Sequence, residues 1–293
     1  MSSRLGEIES RIASATQLDA VIAAMRGIAA AREREAQARL AGIRSVAATV
    51  GEAIGMALAA APAVHAAQWA APKGVPRILI ALCTEQGFVG GLNEHLLARV
   101  ERLKADQPGE IFIIGTRGTM LAQERALHYS WSTRMAAHAQ DVMRVAGQIA
   151  DTVFARFCDH ASAQLWLMHA IPDPGLARRI VARRLVPFDF TRFSMPLRRQ
   201  APLLNLPLDE LLAGLTERYV YLELCDSLMQ SFAAENAARV AGMLAASRQV
   251  KDRLQELTRE HRIVRQGEIT AEIAELAVTG ACSRTPCYAQ VQS

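Results

Sequence analysis

Proline is missing from both ends of this chain. None occurs between Ser2 and Ala61 or between Leu208 and Val278, and all of the 11 prolines except Pro286 fall from Pro62 to Pro207. A residue that removes a backbone donor and breaks helices is thus confined to the middle. The two flanks carry helical periodicity. On the C-terminal side Leu211, Leu215, Tyr219, Leu222, Cys225, Met229 and Phe232 recur three or four apart. The stripe resumes at Val250, Leu254, Leu257, His261 and Val264, and again at Ile269, Ile273 and Leu276. Pro207 stands where a helix takes its first turn. At 1.5 Å per residue a helix of roughly 70 residues is a rod of about 100 Å, too long for the inside of a domain this size, so it must lie against a partner.

The N-terminal flank supplies one. Leu5, Ile8, Ile12, Ala15, Leu18, Ile22, Met25 and Ala29, then Ala36, Leu40, Ile43, Val50 and Ile54, alternate by threes and fours. That spacing is close to the 3.5-residue period of a coiled coil. Alanine at many seam positions lets the helices approach closely while burying little area per residue. The expected organisation is a terminal helix over 1–61, a globular α/β domain over 62–206, a second helix over 207–282 and a tail over 283–293.

The middle alternates strand and helix. Residues 62–76 read as a linker. Buried strands are expected at 77–83 (RILIALC), 109–116 (GEIFIIGT) and 163–170 (AQLWLMHA), with helices at 94–104, 117–127 and 139–160, and with Asn93 capping the first of them. The stretch LARRIVARRLVPF suggests an exposed strand or hairpin. Strands alternating with helices imply a mostly parallel sheet with right-handed crossovers.

Composition excludes several classes. No run of 18 apolar residues exists to span a membrane, and MSSRLGEIESR lacks the apolar core of a signal peptide. The 5 cysteines (Cys83, Cys158, Cys225, Cys282, Cys287) are scattered and odd in number, which fits a reducing compartment. The 7 histidines form no metal pair, and no nucleophile elbow occurs.

Two stretches remain as candidate sites. Gly87, Gly90 and Gly91 lie at a strand-to-helix junction, where backbone N–H groups could face a phosphate. No Lys-Ser/Thr follows and the spacing misses the dinucleotide fingerprint, so a tight turn packed on the coiled coil is the favoured reading. The second is basic: Arg178, Arg179, Arg183, Arg184, Arg192, Arg198 and Arg199, with Asp189 the only acid among them. Such a field attracts nucleic acid, lipid head groups or an acidic protein face, and equally describes edge strands charged against aggregation. A nucleotide-binding α/β enzyme using Gly87–Asn93, and a basic coiled-coil adaptor for nucleic acid, both stay open on these residues alone.

The segment SFAAENAARVAGMLAASRQVKDRLQELTREHRIVRQGEITAEIAEL (231–276) resembles the C-terminal helix of the γ subunit of F-type ATP synthases. IAAMRGIAAAREREAQ (22–37) is similar to that family's other helix, GFVGGLN (87–93) to its glycine turn, and RYV (218–220) to the approach to its long helix. The matches keep the family's order across the whole chain. The resemblance implies an antiparallel coiled coil of both termini with a Rossmann-like α/β insert. It implies the central rotor shaft, a non-catalytic subunit coupling ion flow to ATP synthesis or hydrolysis. The implied partners are the α and β subunits of the head, the ε subunit and the c-ring, with no cofactor, metal, nucleic acid or membrane span. The implied location is peripheral, on the cytoplasmic face of a bacterial inner membrane. Arg265, Gln266, Thr270 and Glu272 fall on the pattern RQ-x-x-IT-x-E, whose polar side chains engage a β-subunit catch loop. Glu235 and Arg239 match the family's Glu-x-x-x-Arg pair, and Met25 its methionine on the facing helix; the resemblance implies that these three also serve coupling to the β subunit. The chain departs from the turn D-R-G-L-C-G-G-L-N at Glu85, Gln86, Phe88 and Val89.

Overall fold

A computed structural model describes residues 2–59, 77–106, 109–159, 164–173, 179–187, 189–193 and 204–282. The expected linker 62–76 and tail 283–293 lie outside these residues, as do Arg178, Arg198 and Arg199. The proline-free flanks are single helices, α1 (Ser2–Ala59) and α5 (Leu208–Cys282). Between them, in chain order, come β1 (Arg77–Leu82), α2 (Leu92–Asp106), β2 (Gly109–Ile114), α3 (Thr116–Glu124), β3 (Trp131–Thr133), α4 (Val142–Asp159), β4 (Gln164–Ile171) and β5 (Arg179–Val186). The long terminal helices contact each other, and the chain divides into two compact units, one of Met1–Met25 with Met243–Ser293 and one of Arg26–Gly242.

In the first unit the apolar seam buries Ile8, Ile22, Met243 and Leu257. Three polar bridges set an antiparallel register: Ser247 Oγ donates to Asp19 Oδ1 (2.8 Å), His261 Nε2 lies 3.0 Å from Glu9 Oε1, and Arg4 reaches Glu260 at 3.5 Å. Apolar burial is non-directional, so bridges of this kind fix which residue faces which.

In the second unit a five-stranded sheet has the order β3-β2-β1-β4-β5. The pairs β1–β2, β1–β4 and β2–β3 are parallel, and β5 closes the edge antiparallel to β4. Strand side chains alternate faces, so a sheet covered on both sides requires continuous apolar runs. Ile78, Ile80, Leu82, Phe112 and Ile114 turn to one face, where they meet α4 (Val142, Val145, Ile149), the end of α1 (Ile54, Leu58) and α5 (Leu224, Leu228, Phe232). Leu79, Ala81, Cys83, Ile111 and Ile113 turn to the other, against Leu96, Leu97 and Val100 of α2 and Ala122 of α3. Each such buried aliphatic side chain contributes about 1.5–3 kcal/mol relative to an exposed one.

Two expectations change. Asn93 does not cap a helix beginning at Glu94. It lies inside α2, where its Oδ1 accepts from Thr84 N–H (3.0 Å) and its Nδ2 donates to Thr84 Oγ1 (2.9 Å). The side chain is spent on the neighbouring turn rather than on the helix's own amides. The structure also adds β3, a three-residue edge strand pairing Trp131–Thr133 with Phe112–Ile114.

Candidate functional site

The turn after β1 is where α5 and the sheet meet. Thr84 Oγ1 donates to the Gln86 carbonyl (3.0 Å), which closes the turn locally. Phe88 and Gly90 take left-handed conformations, φ 62° and 59°. Glycine does this freely and phenylalanine does not. Phe88 is nevertheless 67% exposed, so its own burial does not hold the turn in place. Contacts from elsewhere do.

One set comes from α5. Glu235 Oε2 accepts from Glu85 N–H and Oε1 from Gln86 N–H, both at 3.2 Å. Arg239 completes the arrangement: Nη2 donates to Glu235 Oε1 (2.6 Å), Nη1 to Asn236 Oδ1 (2.9 Å) and Nε to the Gly87 carbonyl (3.2 Å). Both side chains of the pair are 5% exposed. This is not the exposed i, i+4 pair that its spacing alone suggests. Burial pushes the Glu235 carboxyl above the usual carboxylate range, while Arg239 and the two amides pull it back. Close approach is possible because residue 242 is glycine: a Cβ there would stand 2.9 Å from the Phe88 carbonyl oxygen.

The second set comes from the turn itself. The Glu85 side chain accepts from Thr116 N–H (3.1 Å), Thr116 Oγ1 (2.7 Å) and Met135 N–H (2.9 Å). It caps the N-terminus of α3 and ties down the segment after β3. Gly115, at φ 109°, admits this crossing, since a Cβ there would lie 2.6 Å from the Cys83 carbonyl oxygen.

This geometry favours a tight turn packed on α5 at the start of the loop. The amides of Glu85 and Gln86 already face an internal carboxylate, and the Gly87 carbonyl is taken by Arg239.

Polar anchoring continues along α5. Glu223, buried, accepts from Arg183 of β5 (2.9 Å) and from Arg192 (3.4 Å). Two of the arginines of the basic stretch are therefore engaged by an internal glutamate. Arg44 of α1 donates to Asp226 Oδ1 at 3.0 Å, and Gln230 Nε2 donates to Asp226 Oδ2. Gln230 Oε1 lies 3.3 Å from Nε2 of His169 on β4, and Ser231 Oγ donates to the Leu82 carbonyl at the end of β1 (3.3 Å). Burial holds the His169 imidazole neutral, its pKa lowered to about 4. Burial likewise drives the Cys83 thiol to about 12, far from a reactive thiolate. Among the described residues no group of three or more His, Cys, Asp or Glu could hold a metal ion.

The remaining candidates lie in the other unit. Arg265, Gln266, Thr270 and Glu272 are all exposed on α5, with Thr270 Oγ1 donating to the Gln266 carbonyl (2.8 Å). Met25, on α1, is half-buried. The structure brings Glu235 and Arg239 together on the turn and leaves the Arg265–Glu272 group with its polar heads in solvent. Sequence reasoning missed Glu85, Glu223, Asp226, Gln230 and His169. For Glu223, Asp226 and Gln230 the signal was polar side chains inside an otherwise buried helical stripe; Glu85, in the turn, and His169, on β4, carried no such signal.

Long helices from both termini that contact each other, with a five-stranded α/β sheet inserted between them in the chain, are the elements expected of a stalk subunit. Comparison with known proteins agrees. The sequence model of the family described as ATP synthase matches residues 4–283. The ATP synthase gamma chain of Frankia casuarinae is 26% identical, over 94% of this chain and 96% of that one; the gamma chain of Geotalea daltonii is 23% identical, over 94% and 97%. The fold is similar to a chain of the Euglena gracilis mitochondrial ATP synthase (TM-score 0.65, 11% identity, 100% of both chains). It is also similar to one of the Tetrahymena thermophila central stalk and c-ring (TM-score 0.55, 18% identity, 78% of this chain and 99% of that one). The chain belongs to the ATP synthase gamma chain family, the central rotor stalk of the F-type enzyme and a subunit that does not itself catalyse.

Proposed function

We propose that the exposed C-terminal part of α5 is the end that works against the catalytic head. It turns inside a ring of α and β subunits while the α/β body sits on the ε subunit and the c-ring. The enzyme then stands peripherally on the cytoplasmic face of a bacterial inner membrane; no helix among the described residues is long and apolar enough to cross one. The observation that carries this reading is the surface of α5 beyond Glu260 and His261, which bridge to Arg4 and Glu9 of α1. There Ile269, Ile273 and Leu276 are 48%, 61% and 71% exposed at i, i+4, i+7 spacing, beside the exposed heads of Arg265, Gln266, Thr270 and Glu272. An apolar stripe of this kind on a helix calls for a partner surface. A single shaft that touches three equivalent β subunits differently stabilises a different conformation in each, and that difference in contact energy is what couples rotation to the nucleotide sites. Arg265, Gln266, Thr270 and Glu272 would supply directional contacts to a β catch loop, and Met25 a packing contact on the facing helix.

The test is co-expression with α and β subunits of the same source, then size-exclusion chromatography and ATPase assay. A complex of three α, three β and one copy of this chain supports the reading. Loss of coupled ATP synthesis with assembly intact, on Arg265→Ala with Gln266→Ala, locates the catch. Elution of the chain as a lone monomer, or full coupling in the double variant, overturns it.

A further inference from the structure

Over four turns α5 is bonded to the body by a line of polar side chains. Taken along the helix, Glu223 meets Arg183 of β5, Gln230 meets His169 of β4, and Ser231 meets the Leu82 carbonyl of β1. Glu235 then meets the amides of Glu85 and Gln86, and Arg239 the carbonyl of Gly87. The helix is thus pinned in turn to β5, β4, β1 and the turn that follows β1. Between the pins the helix buries Leu224, Leu228, Phe232 and Ala233 in the core on one face of the sheet, and Ala234 and Ala238 beside Val89 and Leu92. Apolar burial has no preferred direction. Hydrogen bonds weaken steeply once their angle is lost. The most completely bonded member is the Glu235–Arg239 pair, with two amides, one carbonyl and the ion pair all inside a buried contact.

From this we propose that the Glu235–Arg239 latch on the Thr84–Gly90 turn is the joint through which the α/β body and helix α5 turn as one piece, so that both are positioning residues for torque transmission. The inference rests on the rotor reading above. Glu85 extends the joint, because the turn that receives Glu235 through its amides is held to α3 and Met135 by the Glu85 side chain.

The experiment uses the assembled complex with the full chain, driven by ATP, with a viscous load attached to the α/β body. The quantity read is loaded speed divided by unloaded speed in the same complex. Wild type is compared with Glu235→Gln, which keeps the volume and removes the charge, and with Glu235→Gly, which leaves a hole that formate can fill between Arg239 and the two amides. The expected result is a ratio several-fold below wild type in both variants, restored by formate in Glu235→Gly alone. A mere weakening of the fold would not show that selective rescue. If the wild-type body rotates and both variants keep its ratio at every load, the joint is overturned and the rotor reading stands. If the wild-type body does not rotate, the rotor reading falls and the joint with it. Should Glu235→Gly fail to assemble, Glu235→Gln decides: an unchanged ratio overturns the joint, a reduced one supports it.

Discussion

His169 makes the stability of the body depend on pH in a direction that can be worked out beforehand. The imidazole sits on β4 facing α5, with Gln230 hydrogen-bonded to it, Asp226 nearby on the same helix and Arg183 approaching from β5. Burial lowers its pKa from 6.5 to about 4, more than Gln230 and Asp226 raise it. The unfolded chain therefore takes up this proton near pH 6.5 and the folded chain only near pH 4. A base with a depressed folded pKa contributes stability that is present above the unfolded value and is lost as pH falls through the folded one. The gap of 2.5 units (6.5 minus about 4), at about 1.4 kcal/mol per unit, amounts to about 3.5 kcal/mol, of which about 3 kcal/mol is lost by pH 4. His169→Gln keeps an N–H for Gln230 and cannot titrate. Urea unfolding followed by tryptophan fluorescence, from pH 7.5 to 4, should show wild type losing about 3 kcal/mol more than the variant, nearly all of it below pH 6.5. Other carboxylates shift both proteins alike and cancel in the difference. Parallel curves, or an NMR titration placing the ring near 6.5, would refute the argument.

Two further outcomes follow from packing. Gly242→Ala drives a Cβ to 2.9 Å from a backbone oxygen of the turn, whereas nothing lies within 4 Å of a Cβ added at Gly267. Gly267→Ala should stabilise by about 1 kcal/mol through helix propensity. Gly242→Ala should instead destabilise by about 1–2 kcal/mol and speed amide exchange at Glu85 and Gln86, and equal gains in both would contradict the close approach. Expressed alone, the chain should self-associate through Ile269, Ile273 and Leu276. Ile273→Gln should reduce that association in light scattering while moving the urea midpoint by less than about 0.5 kcal/mol, as exposed positions do.

The helices and the central strands were legible because their signals are local. A proline-free stretch with a 3.5-residue period has few alternatives, and runs such as Ile78–Leu82 suit little besides a strand covered on both faces. β3 was not legible: Trp131–Thr133 carries no apolar run and exists because β2 offers it an edge. Asn93 looked like a cap because Asn before an acidic residue usually is one; its real partner, Thr84, lies across a turn whose shape the sequence does not spell out. The latch was half visible. Glu235 and Arg239 stand at the spacing of an ordinary surface pair, and only their tertiary neighbours show that the carboxylate is committed to two amides. Glu85 gave no signal, since its three donors come from Thr116 and Met135.

The spacing of the pins along α5 also limits how the gene can change. Each residue advances an α-helix by about 100°. Inserting or deleting one residue between Glu223 and Arg239 would leave the helix intact by every local criterion, yet swing one group of pins by more than a quarter turn against the other. Substitutions in this stretch can be graded in effect, but changes of length cannot. Natural variation here should consist of exchanges at fixed length, with insertions and deletions confined to the loops of the body.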